Sequence, residues 1–293
     1  MKIHILPFQE NEKIIIVGSN GLIGNAIQMA LSPAPLETDI KASFFDIERS
    51  GIVAGIKHAI LSCLNEKANS TNIPITVIYA CGKGGFGISR EVAKEQTEKV
   101  RQLINEIQEL KQCKPRLIYI SSLGAHLSKV NTNYKLMIDA NEKLVTKFSG
   151  SLIIRLPGIW GFKKPHKLPC PSGIIAHLLL SARTGKEANI YGDLSTTRPY
   201  LSASNTGKSI ISLASKCHPL ASRAIINLYS PFQYSIADIA STIKKSTSKR
   251  ILYRLVAGQK VDRESHLLQA LNGTTVTVLE SFQTELKLAW MKL

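Results

Sequence analysis

The sequence predicts an α/β protein built on a doubly wound parallel sheet, with a smaller C-terminal lobe. Segments typical of strands and of helices alternate over the first half of the chain, as they do when helices connect parallel strands. The first strand, Lys13–Val17 (KIIIV), is a continuous apolar run, which is typical of a strand covered on both faces. The helical segment that follows it ends before Pro33 and Pro35, and prolines commonly end helices in this way.

The elements follow one another in the order that a parallel sheet requires. The predicted strands are Lys13–Val17, Ile40–Phe45, Ile75–Ala80, Leu117–Ile120 and Leu152–Leu156. The predicted helices are Leu22–Leu31, Ile52–Leu64, Glu91–Leu110 and Tyr134–Phe148. Beyond Pro157 the alternation loosens, and glycines, prolines and short helical pieces take its place. We therefore predict one domain over residues 1–160 and a smaller lobe over residues 161–293, interleaved with the last strands of the sheet.

The composition is that of a globular protein with many basic residues. Of the 293 residues, 44% are hydrophobic and 20% are charged, which excludes a wholly disordered or fibrous chain. The net charge of +16 favours anionic partners such as nucleotides, nucleic acids or an acidic membrane surface. Because the basic residues are dispersed and no nucleic-acid-binding motif is present, we expect no nucleic-acid partner.

The cysteines and the apolar segments indicate in which cellular compartment the protein is found. The five cysteines are widely spaced and form no CxxC pair, which predicts free thiols in a reducing compartment and no metal site. No apolar stretch is long enough to cross a bilayer, and the N-terminal segment lacks the apolar core of a secretory signal. We therefore predict a cytoplasmic protein with no transmembrane segment.

A glycine-rich turn joins the first strand to the first helix. Gly18 permits a tight turn, Gly21 lets the backbone approach a pyrophosphate, and Gly24 lets the helix and the strand pack closely. The N-terminus of the helix adds N–H groups and a positive partial charge. The position of this turn predicts a dinucleotide-binding site. The predicted ligand-binding residues of the turn are Gly18, Asn20, Gly21, Leu22, Ile23 and Gly24.

The GxxGxxG spacing of this turn resembles that of the short-chain dehydrogenase/reductase superfamily. Later segments, in the same order, resemble its extended branch, which comprises the nucleotide-sugar epimerases, dehydratases and reductases. These segments are Val77–Gly82 (VIYACG), Leu117–Ser122 (LIYISS), Ile153–Gly161 (IIRLPGIWG), Gly192–Leu201 (GDLSTTRPYL) and Ile226–Ile236 (INLYSPFQYSI). The resemblance implies a Rossmann-like dinucleotide-binding domain over residues 1–160 and a substrate-binding lobe over residues 161–293.

The resemblance also implies roles for individual residues. Ser122, with Ser121 as the second choice, matches the family's catalytic serine or threonine, and Tyr134 matches its catalytic tyrosine. Arg198 matches an arginine that contacts the substrate diphosphate, and a guanidinium fork suits phosphate oxygens. A basic loop at the expected entrance to the substrate cleft suits an anionic substrate, and a solvated loop is an equal alternative; its residues are Lys163, Lys164, His166 and Lys167. The small residues expected beside the cofactor are Ala80, Cys81 and Gly82.

The implied cofactor is NAD or NADP. In dinucleotide-binding folds an acidic residue about 20 residues past the glycine turn binds the adenosine ribose. Asp46 is the candidate for this contact, and its alternative roles are the family's later acidic position near the adenine and a cap of the following helix. Arg49 and Ser50 nearby suit a 2′-phosphate, so the choice between NAD and NADP stays open.

The departure from the family's pattern that matters most for catalysis concerns the lysine after the tyrosine. Its catalytic tyrosine is followed four residues later by a lysine, whose ammonium lowers the pKa of the phenol and binds the nicotinamide ribose. Here Ile138 stands at that position, and Lys135 lies on another side of the predicted helix. Ordinary catalysis by a tyrosine and a lysine is therefore in doubt.

Two functions stay open at this point. The first is an NAD(P)-dependent epimerase, dehydratase or reductase that acts on a nucleotide-activated sugar by hydride transfer, as in polysaccharide biosynthesis. The second is a catalytically impaired NAD(P)-binding protein of the same fold, with a sensing or assembly role. The expected partners are a nucleotide sugar and, in a homodimer, a second copy of the chain.

Overall fold

A computed structural model of the chain describes residues 13–31, 42–45, 74–82, 87–109, 114–126, 131–163, 170–191, 193–216, 223–256, 273–279 and 281–293. Its strands are β1 (Lys13–Val17), β2 (Ala42–Phe45), β3 (Pro74–Tyr79), β4 (Lys114–Ser122), β5 (Ser151–Leu156), β6 (Gly158–Lys163), β7 (Cys170–Ser172), β8 (Ala188–Tyr191), β9 (Arg198–Ser202), β10 (Ala224–Tyr229), β11 (Gln233–Tyr234), β12 (Tyr253–Val256) and β13 (Thr274–Thr277). Its helices are α1 (Leu22–Leu31), α2 (Arg90–Gln108), α3 (Leu123–His126), α4 (Asn133–Val145), α5 (Ile174–Thr184), α6 (Ala203–Lys216), α7 (Ile236–Thr247) and α8 (Phe282–Lys292).

A parallel sheet of seven strands forms the centre of the molecule, in the order β13-β10-β5-β4-β3-β1-β2. The chain passes outward from β1 to β2, returns to β3 on the other side of β1, and continues through β4 and β5. The strand order therefore reverses between β1 and β3. In open α/β sheets, ligands bind outside the carboxyl ends of the strands at such a point. The predicted doubly wound parallel sheet is confirmed.

The side chains of β1 alternate between two cores, one on each face of the sheet. Ile15 and Val17 belong to a core that α2 and α4 cover, whereas Ile14 and Ile16 belong to a core under α1 and α6. All four side chains are fully buried. A strand covered on both faces has no polar side, which explains the continuous apolar run in the sequence.

The predicted elements of the N-terminal half are present, with small shifts of their ends. β1 and α1 have the predicted bounds. β4 is longer than the predicted Leu117–Ile120 strand, and α4 ends at Val145 rather than at Phe148. β2 is described over Ala42–Phe45, and residues 40 and 41 of the predicted strand lie outside the described residues. The predicted helix over Ile52–Leu64 lies outside the described residues.

The chain beyond β5 adds smaller elements beside the central sheet and returns to that sheet twice. β6, β7, β9 and β11 form a four-stranded sheet, and β8 pairs with β12. A third core, around Trp160 of β6, contains Leu178 of α5, Ile239 of α7 and Phe282 of α8. Because β10 and β13 belong to the central sheet, both predicted ranges, 1–160 and 161–293, contribute strands to it. The boundary between the two ranges stays a prediction.

Candidate active site

A cavity of about 870 Å³ opens at the carboxyl ends of β1, β3, β4 and β5, where the strand order reverses. Its wall also includes parts of α2 and α4, the end of β6 and one residue of β7. Pockets for small ligands and cofactors commonly measure roughly 300–1,000 Å³. The cavity is therefore large enough for a nucleotide. Of the site residues predicted from the sequence, the wall contains Gly21, Leu22, Ile23, Ala80, Cys81, Gly82, Ser122 and Tyr134.

The other predicted site residues lie outside this wall. Gly18 and Gly24 belong to the same turn as Gly21 but do not line the cavity, and Asn20 is exposed. Arg198 begins β9 and is not part of the wall. Asp46, the predicted ribose ligand, lies outside the described residues, as do residues 49 and 50. The assignments of these residues to a cofactor or a substrate stay predictions.

Close contacts shape the glycine turn and exclude larger side chains from two of its positions. Gly18 has a φ of +92°, which L side chains rarely adopt, and a Cβ there would lie 2.4 Å from Sγ of Cys81. A Cβ on Gly24 would lie 2.1 Å from the carbonyl oxygen of Gly18. At Gly21 the corresponding distance to that oxygen is 3.2 Å, and this residue faces the cavity. The first and third glycines therefore let the turn form, whereas the second keeps the cavity open beside it.

The two serines that end β4 have different surroundings. Ser122 lines the cavity, and its Oγ accepts a hydrogen bond from the backbone N–H of Ala125 at 3.3 Å. The hydrogen of that hydroxyl is left to donate to a bound molecule. Ser121 also borders the cavity but is buried, and its hydroxyl donates to Oε1 of Glu142 at 2.6 Å. This geometry favours Ser122 over Ser121 as a donor to a ligand.

Glu142 is the centre of a buried hydrogen-bond network. Its Oε1 accepts from Nε of Arg155 at 3.0 Å, and its Oε2 accepts from Nη2 of the same guanidinium at 2.6 Å. Nε2 of His126 lies 2.9 Å from Oε1, and the hydroxyl of Ser121 completes the network. Burial raises the pKa of Glu142, but the hydrogen bonds from His126, Arg155 and Ser121 outweigh it and lower the pKa to about 2. The charged carboxylate therefore ties the end of β4 to α4 and β5.

Tyr134 and Ile138 border the cavity from one side of α4. They stand four residues apart, so their side chains are neighbours on the helix surface. Ile138 is 4% exposed and packs with Met137. Lys135 does not line the cavity, and its Nζ lies 3.6 Å from Oδ2 of Asp139. Within the described residues, α4 therefore places no cation in the cavity beside the Tyr134 phenol.

Two buried polar atoms in the wall have no hydrogen-bond partner among the described residues: the hydroxyl of Tyr79 and Oδ1 of Asn141. Asn141 donates through Nδ2 to the hydroxyl of Tyr119 at 3.0 Å, and the rings of Tyr79 and Tyr119 stack with centroids 5.8 Å apart. Burial raises the pKa of both tyrosines, so neither is an acid or a base near neutral pH. Because a buried polar atom without a partner costs free energy, these two atoms are available to a ligand.

Sequence reasoning missed the polar residues that α2 and α4 contribute to the wall, namely Gln96 and Asn141. Gln96 is 9% exposed and stands in the buried stripe of α2 with Val100 and Leu103. A lone polar residue in an apolar stripe is a signal that could have identified it, because burying an amide requires a partner. Asn141 directly precedes Glu142, and no local pattern distinguishes it from an exposed helical asparagine.

Arg198 begins β9 and pairs there with Tyr234 of β11. Its Nε atom is buried and has no hydrogen-bond partner among the described residues. Most buried polar atoms in proteins are hydrogen-bonded, so an atom of this kind calls for a partner such as an anionic ligand. The predicted contact with a substrate diphosphate stays a prediction.

The described residues contain no group of three or more His, Cys, Asp or Glu side chains that could hold a metal ion. Within the described residues, neither Cys81 nor Cys170 forms a disulfide bond. In the same ranges, no helix combines the length and the apolar character that crossing a membrane requires.

No model of a known protein family matches the sequence, and no curated protein matches it either. Solved structures, in contrast, match nearly the whole chain. The UDP-glucose 4-epimerase of Thermus thermophilus, in complex with NAD, is 15% identical with a TM-score of 0.69, and the match covers 95% of this chain and 98% of that chain. The UDP-glucuronic acid 4-epimerase of Bacillus cereus, in complex with UDP-glucuronic acid and NAD, is 17% identical with a TM-score of 0.65 and the same coverage.

A third structure, the UDP-glucose 4-epimerase of Thermotoga maritima with UDP-glucose, is 16% identical with a TM-score of 0.66. This match covers 96% of the present chain and 98% of that chain. Agreement over this length includes the C-terminal elements as well as the central sheet. The chain therefore has the Rossmann-like fold of these UDP-sugar epimerases, as its resemblance to the extended short-chain dehydrogenases/reductases implied.

Proposed function

We propose that the protein is an NAD-dependent enzyme that acts on a nucleotide-activated sugar by hydride transfer. The observation that carries this proposal is that one cavity joins the glycine turn to the hydroxyl groups of Ser122 and Tyr134. Groups suited to binding a dinucleotide and groups suited to proton transfer therefore share one space. The similar structures contain NAD and UDP-sugars, which supports the same classes of ligand here.

The residues around the glycine turn fit a dinucleotide. A Cβ at Gly18 or Gly24 would collide with neighbouring atoms. Glycine at these two positions therefore allows the tight turn that a bound pyrophosphate requires. The unpartnered atoms of Tyr79 and Asn141 offer further hydrogen bonds in the same cavity. When bound, NAD supplies the group that accepts and returns a hydride. The residues that would hold it are Gly21, Leu22, Ile23, Ala80, Cys81 and Gly82.

In this proposal, Ser122 binds an oxygen of the sugar and Tyr134 transfers the proton of the reacting hydroxyl. The hydroxyl of Ser122 donates a hydrogen bond to an oxygen of the sugar, because its own oxygen already accepts from the N–H of Ala125. The phenol of Tyr134 takes or returns the proton of the reacting hydroxyl as an alcohol and a ketone interconvert. Ser121 and Glu142 hold this end of β4 in place. Epimerisation, dehydration and reduction share this exchange, so the proposal covers the class of reaction.

Gly21→Val is expected to abolish NAD binding while the protein stays folded. The added side chain would project into the cavity, whereas its Cβ would lie 3.2 Å from the carbonyl oxygen of Gly18, which a small shift relieves. Isothermal titration with NAD measures the affinity, and thermal melting checks the fold. Gly21→Ala is the graded control, with a smaller loss.

Unchanged NAD affinity in a folded Gly21→Val protein would reject this placement of the cofactor. The reaction itself is measured by adding UDP-glucose or UDP-glucuronic acid to the NAD-loaded protein and following nicotinamide absorbance together with the sugar product. Failure of the wild-type protein to bind either NAD or a UDP-sugar would contradict the proposed function as a whole.

Arg198→Ala is expected to weaken UDP-sugar binding by roughly 2–3 kcal/mol, the loss typical of a hydrogen bond to a charged group, and to leave NAD affinity unchanged. The unpartnered Nε of Arg198 supports this role. Titrations of both ligands into the variant test it, with Arg250→Ala, at an exposed arginine, as the control. Equal weakening of NAD binding would show that Arg198 had been assigned to the wrong ligand.

A second candidate function is binding without turnover, in a sensing or assembly role. The buried Ile138, where the resemblance calls for a lysine, favours it. Lys135 offers no substitute, because it pairs with Asp139 and does not line the cavity. The substitution Ile138→Lys separates this candidate from an enzyme with an altered arrangement of acid and base.

We further propose a cytoplasmic homodimer. The face formed by α2 and α4 carries a groove in which Leu136 is 55% exposed, beside the ion pair of Lys99 with Glu95. An exposed leucine among paired charges suits contact with a second copy of the chain. The lack of a disulfide bond at Cys81 and Cys170, among the residues that the structure describes, suits a reducing compartment. Light scattering of the wild type and of Leu136→Glu measures the oligomeric state.

A further inference from the structure

Lys163 is the only charged side chain among the described residues that line the cavity. The rest of the described wall is made of glycines, apolar residues, hydroxyl groups, amides and one thiol, and it includes no aspartate or glutamate. The described wall therefore carries a net positive charge. An unbalanced cation in a partly enclosed space attracts an anionic group more strongly than it does in open water.

Lys163 ends β6, a strand whose residues contact α1 and α6. Gly161, two residues earlier, points the same way, because residues i and i+2 of a strand lie on one face. A Cβ on Gly161 would lie 3.3 Å from Cδ1 of Leu22, the first residue of α1. Leu22 and Lys163 both line the cavity. Lys163 therefore borders the same cavity as the start of α1.

Lys163 is half-buried, and no described residue forms an ion pair with it. The Nζ atom is thus a donor with no acid of the described residues to neutralise it. The N–H groups at the start of α1, which borders the same cavity, add a positive partial charge. The ammonium of Lys163 and the N-terminus of α1 both contribute positive charge to this cavity. The cavity therefore suits a ligand group with more than one negative charge.

We propose that Lys163 binds a diphosphate group in this cavity. The inference rests on the proposed function, and it adds a binding residue from the C-terminal part of the chain to the glycine turn of the N-terminal part. Both ligand classes of that function, a dinucleotide and a nucleotide sugar, contain a diphosphate. The chemistry recognised by Lys163 is the same in both, and titrating each ligand separately distinguishes them.

The experiment is isothermal titration of NAD, and separately of UDP-glucose, into the wild type, Lys163→Met and Lys163→Arg. Loss of a charge-assisted hydrogen bond is expected to weaken the affinity of Lys163→Met for one of the two ligands roughly ten- to hundredfold. Lys163→Arg is expected to keep most of that affinity. Lys186→Met, which removes an exposed lysine after α5, is the matched control and is expected to change neither affinity. The ligand that loses affinity is the one whose diphosphate Lys163 binds.

Salt supplies a second readout that does not depend on turnover. The affinity of the wild type for that ligand should fall more steeply with sodium chloride than the affinity of Lys163→Met, because one screened ion pair is missing in the variant. Unchanged affinity of a folded Lys163→Met protein for both ligands overturns the proposal. A shifted pH profile of turnover with both affinities unchanged also overturns it, because Lys163 would then act on the proton rather than on a diphosphate. If the wild type binds neither ligand, the proposed function fails and the role of Lys163 fails with it.

Discussion

Replacing Glu142 by leucine is expected to lower the free energy of unfolding by about 3–5 kcal/mol, the range found when one partner of a buried ion pair is removed. Arg155 would lose both of its bonds to the carboxylate while it remains only 3% exposed. Ser121 and His126 would lose their shared acceptor as well. Urea denaturation measures the change. Glu98→Leu, which removes an exposed ion-pair partner of an arginine on α2, is the control and should cost about 1 kcal/mol or less.

The double variant Glu142→Leu with Arg155→Met should recover most of that loss, because no buried charge is then left without its partner. The pH dependence of stability tests the same carboxylate. Its pKa is about 2 in the folded protein against an ordinary value of 4.5, so its contribution is fully present above pH 4.5 and is lost as the pH falls toward 2. Over that interval the wild type should lose about 3 kcal/mol more than Glu142→Gln. A Glu142→Leu protein no less stable than Glu98→Leu would contradict the role of the network.

Ile138→Lys is expected to raise the turnover of a UDP-sugar roughly tenfold or more at neutral pH and to move its pH profile downward. The new ammonium would stand one helical turn from Tyr134, where a nearby positive charge favours the phenolate. Because Ile138 borders the cavity, the lysine has open space to enter. Because Ile138 is also 4% exposed and packs with Met137, the melting temperature should fall.

The measurements are turnover against pH, NAD affinity and thermal melting. Ile138→Met is the matched control, since it fills a similar volume without a charge and should leave turnover unchanged. The contrary outcome is a folded Ile138→Lys protein that binds NAD and gains no activity with any nucleotide sugar. That outcome would argue against the view that the protein is an enzyme lacking only the lysine beside Tyr134. Binding without turnover would then be the better account of the protein.

Local sequence was enough to predict the glycine turn and the first five strands of the central sheet, but not β13, the strand at one edge of that sheet. A buried parallel strand such as β1 needs apolar residues on both faces, and the turn after it needs glycines where a Cβ would collide, as at Gly18 and Gly24. Both requirements involve residues close together in the chain. Patterns of this kind are therefore visible without knowledge of the fold.

The polar residues of the cavity were harder to predict because distant segments bring them together. Glu142 receives its hydrogen bonds from β4, α3 and β5, and nothing in its own helix identifies Arg155 as its partner. Gln96 comes from α2 and Lys163 from the end of β6, and only the packing of these elements at one edge of the sheet places both in one wall. The resemblance to a family supplied Ser122 and Tyr134, but it placed Lys163 only in a basic loop at the entrance to the substrate cleft.

The return of the chain to the central sheet has a consequence for how the protein folds during synthesis. β5 pairs with β10, which is formed by residues 224–229, and β10 pairs with β13 near the C-terminus. Until those residues leave the ribosome, β5 presents an unpaired strand edge, which is a site for aggregation. Contacts between residues so distant along the chain also slow folding, because a long loop must close before they form. A fragment that ends at residue 160 would retain the glycine turn and lack the strands that cover this edge.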